Sequence, residues 1–160
     1  NGSHDTGAMA SVGGPPSYSC LNITRHPDCP HVVIVSLCRP SKKNAINSTM
    51  WKEIGHCFRT IHLAGDVRAI VLQGEGPCFS TGLCLSDPTL MPFSNNPTKK
   101  SSSKPSSSSV TKQDPARIGL AFLSKVQEMQ SCFTAVEECP VPVIASIHSY
   151  CVGAGIDLIT

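Results

Sequence analysis

Apolar positions along this chain fall into short β-branched runs and stripes of helical period, in alternating order. Leu21–Arg25 reads as a short strand, and residues 31–38 (HVVIVSLC) as a clearer one rich in Val and Ile. Arg39-Pro40 breaks that run, and residues 41–44 make a basic turn. Asn47 or Ser48 is placed to cap a helix in which Met50, Ile54, Phe58 and Ile61 form one apolar face. Ala64-Gly65-Asp66 stops that helix, and residues 68–73 (RAIVLQ) form the next strand, with a turn at 74–76. A long helix is expected over about 115–138, with Asp114 as cap, Pro115 in the first turn, and Ile118, Phe122, Val126, Met129, Phe133 and Val136 on one face. Cys139-Pro140 ends it. Residues 143–148 (VIASIH) form a strand, 149–155 a small-residue turn, and 156–160 the start of another helix. The order is that of an α/β fold.

Two stretches stand outside this pattern. Residues 1–17 are rich in Gly, Ser and Pro; Gly2-Ser3-His4 reads as an expression scar and Met9 as a native start, so this part is expected to be a disordered tail. Residues 92–115 contain NNPTKKSSSKPSSSSVTKQDP, which has too few apolar groups to offset the entropy of ordering. This Ser/Lys-rich insert is expected to be a flexible surface loop within a single domain spanning 18–160, because its flanks look incomplete without each other.

Composition narrows the function classes. With 160 residues, 40% hydrophobic and 15% charged, the chain can bury a core. A net charge of +2 with scattered Lys and Arg favours neither nucleic acid nor an anionic membrane surface, and no apolar run is long enough to span a bilayer. The nine cysteines include no C-x-x-C pair and are odd in number, and several lie inside strand-like runs. They are expected to be mostly buried, reduced thiols acting as small hydrophobes in an intracellular, reducing compartment, with no metal site.

The candidate chemistry lies in two segments of one design, VLQGEGPCFSTGLCL from Val71 and VIASIHSYCVGAGIDL from Val143. In each, a strand ends, a Gly-containing turn follows and a helix begins. Such turns expose unpaired backbone N–H groups where negative charge is favoured. Two that converge make an oxyanion hole. Either turn alone is an ordinary connection. Gly153 and Gly155 do not complete a dinucleotide fingerprint, since the third glycine is missing.

Three segments in order carry a family resemblance: CRPSKKNAINSTMWKEIGHCF, RAIVLQGEGPCFSTGLCL and ECPVPVIASIHSYCVGAGIDLIT. Together they resemble the N-terminal part of the enoyl-CoA hydratase/isomerase (crotonase) family. The continuation Gly155-Ile156-Asp157-Leu158, with Ala116-Arg117-Ile118 before the long helix, resembles the dienoyl-CoA isomerase branch; hydratases typically carry Glu where this chain has Asp157. The resemblance implies a repeated ββα spiral, cut before the C-terminal helices, and an acyl-CoA thioester as substrate, with no further cofactor.

Its site residues carry over by position. The N–H groups of Leu83 and Ala154 would bind the thioester oxygen and stabilise an enolate. Asp157 would assist proton transfer; by itself it is a first-turn helix Asp. Arg39, Lys42 and Lys43 are candidates for the CoA phosphates, and Ser80, Thr81, Gly82, Gly153 and Gly155 for the walls of the site. His148 is given no role. This chain departs from the family at Cys84, where an acidic residue is usual, and at Ser149 and Ala154, where Gly is usual. The resemblance places the isomerase's principal proton-transferring Glu and Asp beyond Thr160. It implies β-oxidation of fatty acids in a mitochondrion or peroxisome, and a homo-oligomer, trimer or hexamer, in the complete protein. A hydratase and a non-catalytic acyl-CoA-binding or interaction protein are the alternatives.

Overall fold

The computed structural model describes residues 17–90 and 114–160. The expected tail, except its last residue, and nearly all of the Ser/Lys-rich insert lie outside them. Four strands make one sheet in the order β1-β2-β3-β4: β1 Leu21–Arg25, β2 Val32–Leu37, β3 Ala69–Gly74 and β4 Val143–Ser146. β1 pairs antiparallel with β2. β2 with β3, and β3 with β4, are parallel, in registers that set Val35 beside Leu72 and Leu72 beside Ala145. Parallel neighbours require long crossovers. These contain the two larger helices, α1 Ser48–Thr60 and α2 Pro115–Glu137.

The core lies between the sheet and α1. Val33, Val35, Leu37, Ile70 and Leu72 from the strands meet Met50, Ile54 and Phe58 from α1, all buried. Each such side chain contributes about 1.5–3 kcal/mol when fully buried. α1 starts where the sequence signals it: the Asn47 side chain accepts the Met50 N–H at 2.9 Å. A second acceptor is added from a distance, as Asp87 takes the Ser48 N–H at 2.8 Å. That bond, helped by the Thr89 hydroxyl and N–H, holds the Asp87 carboxyl well below the ordinary carboxylate range.

α2 crosses α1 closely. The Trp51 and Phe133 rings stack with centroids 4.3 Å apart, and the Trp51 indole N–H donates to the Met129 carbonyl at 2.7 Å. A Cβ on Gly55 would stand 2.8 Å from the Cys132 sulfur, so a larger residue there would push the helices apart.

Three details differ from the sequence pattern. The stripe expected on α2 is only half used: Met129, Phe133 and Val136 pack on the core, whereas Ile118 and Phe122 are exposed. Contacts of α2 with α1 include Met129, Cys132 and Phe133, in the C-terminal half of α2. β4 stops at Ser146, two residues early, because His148 and Tyr150 carbonyls turn to accept N–H groups of Phe79 and Ser80. The last helix, α3 Ala154–Asp157, starts two residues early and is a single turn. Among the cysteines, Cys20, Cys57, Cys78, Cys84 and Cys132 are buried and Cys29 is exposed; all nine are free. Burial pushes the Cys57 thiol up to about 12.

Candidate active site

Because β3 and β4 are parallel, both leave the sheet at the same edge, and the turns that follow them meet. The first turn is tied to the second by three backbone hydrogen bonds. Phe79 donates to His148 O at 3.0 Å, Ser80 to Tyr150 O at 3.1 Å, and Val152 to Ser80 O at 3.2 Å. Gly82 has φ +80°, and a Cβ there would stand 2.7 Å from the Val152 carbonyl and 3.2 Å from the Ala154 nitrogen. Glycine is needed at 82 both for its backbone conformation and for this approach.

The first turn is also braced from below. Ile46 and Leu83 form a parallel bridge, in which Ile46 N–H donates to Gly82 O at 2.7 Å and Cys84 N–H to Ile46 O at 2.9 Å. In such a bridge the polar groups of Leu83 itself point the other way. Among the described residues, neither the Leu83 N–H nor the Ala154 N–H donates a hydrogen bond. Two unpaired donors therefore stand on adjoining turns, Leu83 half-buried and Ala154 buried.

The expected site residues divide into groups. Ser80, Gly82, Gly153, Ala154 and Gly155 are brought together with Leu83 where the turns touch. Thr81 is tied back to the basic turn, its N–H and hydroxyl both donating to the Lys43 carbonyl, at 3.1 and 3.2 Å. Lys42 and Lys43 are exposed. Arg39, expected beside them, is half-buried and donates to the Ala45 carbonyl. Cys84, where the family's acidic residue is usual, is buried with its sulfur 3.3 Å from the Ser86 hydroxyl. Hydrogen bonds from Ser86 and then Arg39 lower its pKa.

Asp157 is exposed, and its carboxylate has no hydrogen-bond partner among the described residues. It is one of the residues lining a groove of about 1070 Å³, with Met129, Phe133, Val143 and Ala145, and none of the residues of the paired turns lines that groove. The structure thus sets the two backbone donors on touching turns and places Asp157 three residues after Ala154, at the other end of the single-turn helix α3. His148 Nε2–H donates to Gly76 O at 3.0 Å, which fits a residue that holds the turn.

Sequence reasoning missed Asn44. It is fully buried in a left-handed conformation, φ +52°. Its side-chain oxygen accepts the Arg39 N–H at 2.9 Å, and its amide donates to Glu75 O at 2.8 Å and Cys78 O at 2.9 Å. The signal available was an Asn directly after a basic turn, a residue type that tolerates positive φ and bonds backbone locally. Among the described residues, no cluster of three or more His, Cys, Asp or Glu side chains is placed to hold a metal ion, and no helix is long and apolar enough to cross a membrane.

Comparison with known proteins bears on this geometry. The enoyl-CoA hydratase/isomerase family profile matches residues 30–112. The chain is 37% identical over 132 residues to the mitochondrial Delta(3,5)-Delta(2,4)-dienoyl-CoA isomerase of Mus musculus, covering 81% of this chain and 35% of that one. It is 33% identical over 144 residues to the peroxisomal enzyme of that name from Arabidopsis thaliana, covering 90% and 47%. Among solved structures it resembles an enoyl-CoA hydratase of Mycobacterium smegmatis (TM-score 0.59, 25% identity, 87% of this chain and 44% of that one). It also resembles an enoyl-CoA hydratase/isomerase of Xanthobacter autotrophicus Py2 (TM-score 0.64, 20% identity, 89% and 43%), which shows the crotonase fold. The chain spans less than half the length of each of these relatives.

Proposed function

The chain belongs to the enoyl-CoA hydratase/isomerase family, and from that premise we propose that its paired turns bind the thioester oxygen of an acyl-CoA and stabilise the enolate formed when a proton leaves carbon. The observation that carries this reading is the meeting of two unpaired backbone donors, Leu83 N–H and Ala154 N–H, at the Gly82 contact. A carbonyl oxygen gains negative charge as its neighbouring carbon is deprotonated. Donors already fixed in place stabilise that charge without reorganising, and loss of one such donor typically costs about 100- to 1000-fold in rate. Ala154 and Leu83 act through the backbone, so their side chains matter only for shape. The exposed Lys42 and Lys43 supply clustered cations for the CoA phosphates, while Arg39 supports the loop that presents them.

Within the family the reading is isomerisation of a dienoyl-CoA, supported by the likeness to two dienoyl-CoA isomerases and by Asp157 in the Gly-x-Asp-Leu sequence. In that reaction a proton leaves the carbon next to the thioester, the electrons spread along the conjugated chain, and a proton returns farther out. Asp157 is proposed to hold or pass a proton on that path. The names of those relatives give a mitochondrial or peroxisomal setting.

The test uses the longest natural product that carries this chain, offered a 3,5-dienoyl-CoA and, separately, a 2-enoyl-CoA. Migration of the double bonds is expected. Hydration of the enoyl-CoA alone would select the hydratase, and binding without solvent-proton exchange at carbon would select a non-catalytic acyl-CoA-binding protein.

A further inference from the structure

We propose that Ser80 is a positioning residue whose hydroxyl sets the direction of the Leu83 donor and couples the two turns. This rests on the oxyanion reading above and deepens it. Ser80 is fully buried, so its side chain meets only the protein. Its hydroxyl donates to the Asn44 carbonyl at 2.9 Å and accepts the Gly82 N–H at 3.1 Å. Its backbone donates to Tyr150 O and accepts from Val152 N–H. A Cβ on Gly155 would stand 3.1 Å from the Ser80 Cβ and 3.3 Å from its Oγ. One residue thus touches the loop at Asn44, its own turn, and the second turn on both sides of Ala154.

The hydroxyl acts one peptide away from the donor. Gly82 N–H is pinned inward by Ser80, and with φ +80° at Gly82 the next amide, that of Leu83, is directed away from the Ile46 bridge. Gly82 has no Cβ to hold that geometry, since glycine visits many backbone conformations about equally. The restraint must come from outside: Ile46 N–H holds the Gly82 carbonyl, which shares a rigid peptide with the Leu83 N–H, and the Ser80 hydroxyl holds the peptide on the other side of Gly82. Alanine at 80 would leave the Gly82 N–H and the Asn44 carbonyl buried and unpaired. The simplest relief is rotation of the peptides around Gly82, which turns the Leu83 N–H off the oxygen it serves.

The experiment reads the thioester carbonyl directly. Butyryl-CoA labelled with carbon-13 at the carbonyl is bound to the longest natural product, and its carbonyl stretch is measured beside kcat and KM for the dienoyl-CoA. The wild-type protein is expected to lower the stretch. Ser80→Ala should lose at least half of that lowering and reduce kcat by about 10- to 100-fold, the scale of a small misplacement, with KM within a few-fold. Ser80→Cys keeps the shape, weakens both hydrogen bonds, and should fall between them; it decides the matter if Ser80→Ala does not fold. Folded variants that both keep the wild-type stretch and kcat would overturn the proposal while leaving the oxyanion reading intact. No lowering in the wild-type complex would remove the oxyanion reading and this proposal together.

Discussion

The two turns that meet at the sheet edge are built differently, although the sequence writes them alike. The first is fastened by side chains as well as backbone: Asn44 bonds Glu75 and Cys78, Ser80 bonds Gly82, and Asp87 beyond the turn caps α1. The second is held against the first by backbone hydrogen bonds and by one side chain, His148 on the Gly76 carbonyl. Its larger side chains face outward, with Tyr150 64% and Val152 46% exposed. A donor on a braced turn has its direction set by the residues that brace it. A donor on a turn with fewer such side chains takes more of its direction from its neighbour. The second donor therefore depends on the first turn more than the first depends on the second.

Substitutions can break or sharpen that contrast. The largest effect is expected from Gly82→Ala, which strains a positive φ and drives a methyl into the Val152 carbonyl. It should separate the turns, cutting turnover by about 100-fold or more and stability by about 1–3 kcal/mol, read by dienoyl-CoA kinetics and urea melts. Asn44→Ala should follow, at about 2–4 kcal/mol, because it strands several buried backbone groups at once. If it proves harmless in urea titration, the first turn is not braced as described.

Asp87→Ala should cost about 1 kcal/mol at neutral pH, as for other helix caps. The folded pKa of Asp87 lies below its unfolded value of about 3.9. Its stabilisation is therefore complete above that pH and fades as pH falls through the folded value. Wild-type and variant melting temperatures should differ near neutrality and converge in strong acid. On the second turn, Ser149 sits at φ +56°. Ser149→Gly should raise stability by about 0.5–1 kcal/mol by removing a left-handed non-glycine residue. Tyr150→Ala should change stability least, by under about 0.5 kcal/mol; a larger loss would mean that Tyr150 braces the second turn as His148 does.

The parts of the fold legible in sequence are those with a period. VVIVSL and the Met50, Ile54, Phe58 stripe announce a buried strand and an amphipathic helix, and both stand as expected. The α2 stripe misleads because periodicity tells which face is apolar, not how deeply each part of it is buried. At the site, the glycines and the second strand-turn-helix segment were legible, and the family resemblance gave the pairing of the turns; the helix expected directly after the first turn is absent, residues 84–90 forming turns instead. The bracing was not legible. Asn44 and Ser80 act on backbone atoms 31 to 36 positions away or one residue removed from a donor, and such contacts leave no spacing pattern to read. Arg39 looked like its basic neighbours in sequence; only the fold separates it from them.

The parallel register of β3 and β4 has a consequence for how this site tolerates change in chain length. Leu72 faces Ala145 whatever lies between them, and the turns meet because their strands end level. Residues added or removed between the first turn and α2 alter the length of the crossover and leave the alignment of its ends untouched. The Ser-rich run falls in that interval. The donor pair is in this sense indexed to the sheet rather than to the chain, and sequence can drift or lengthen there without moving one donor relative to the other.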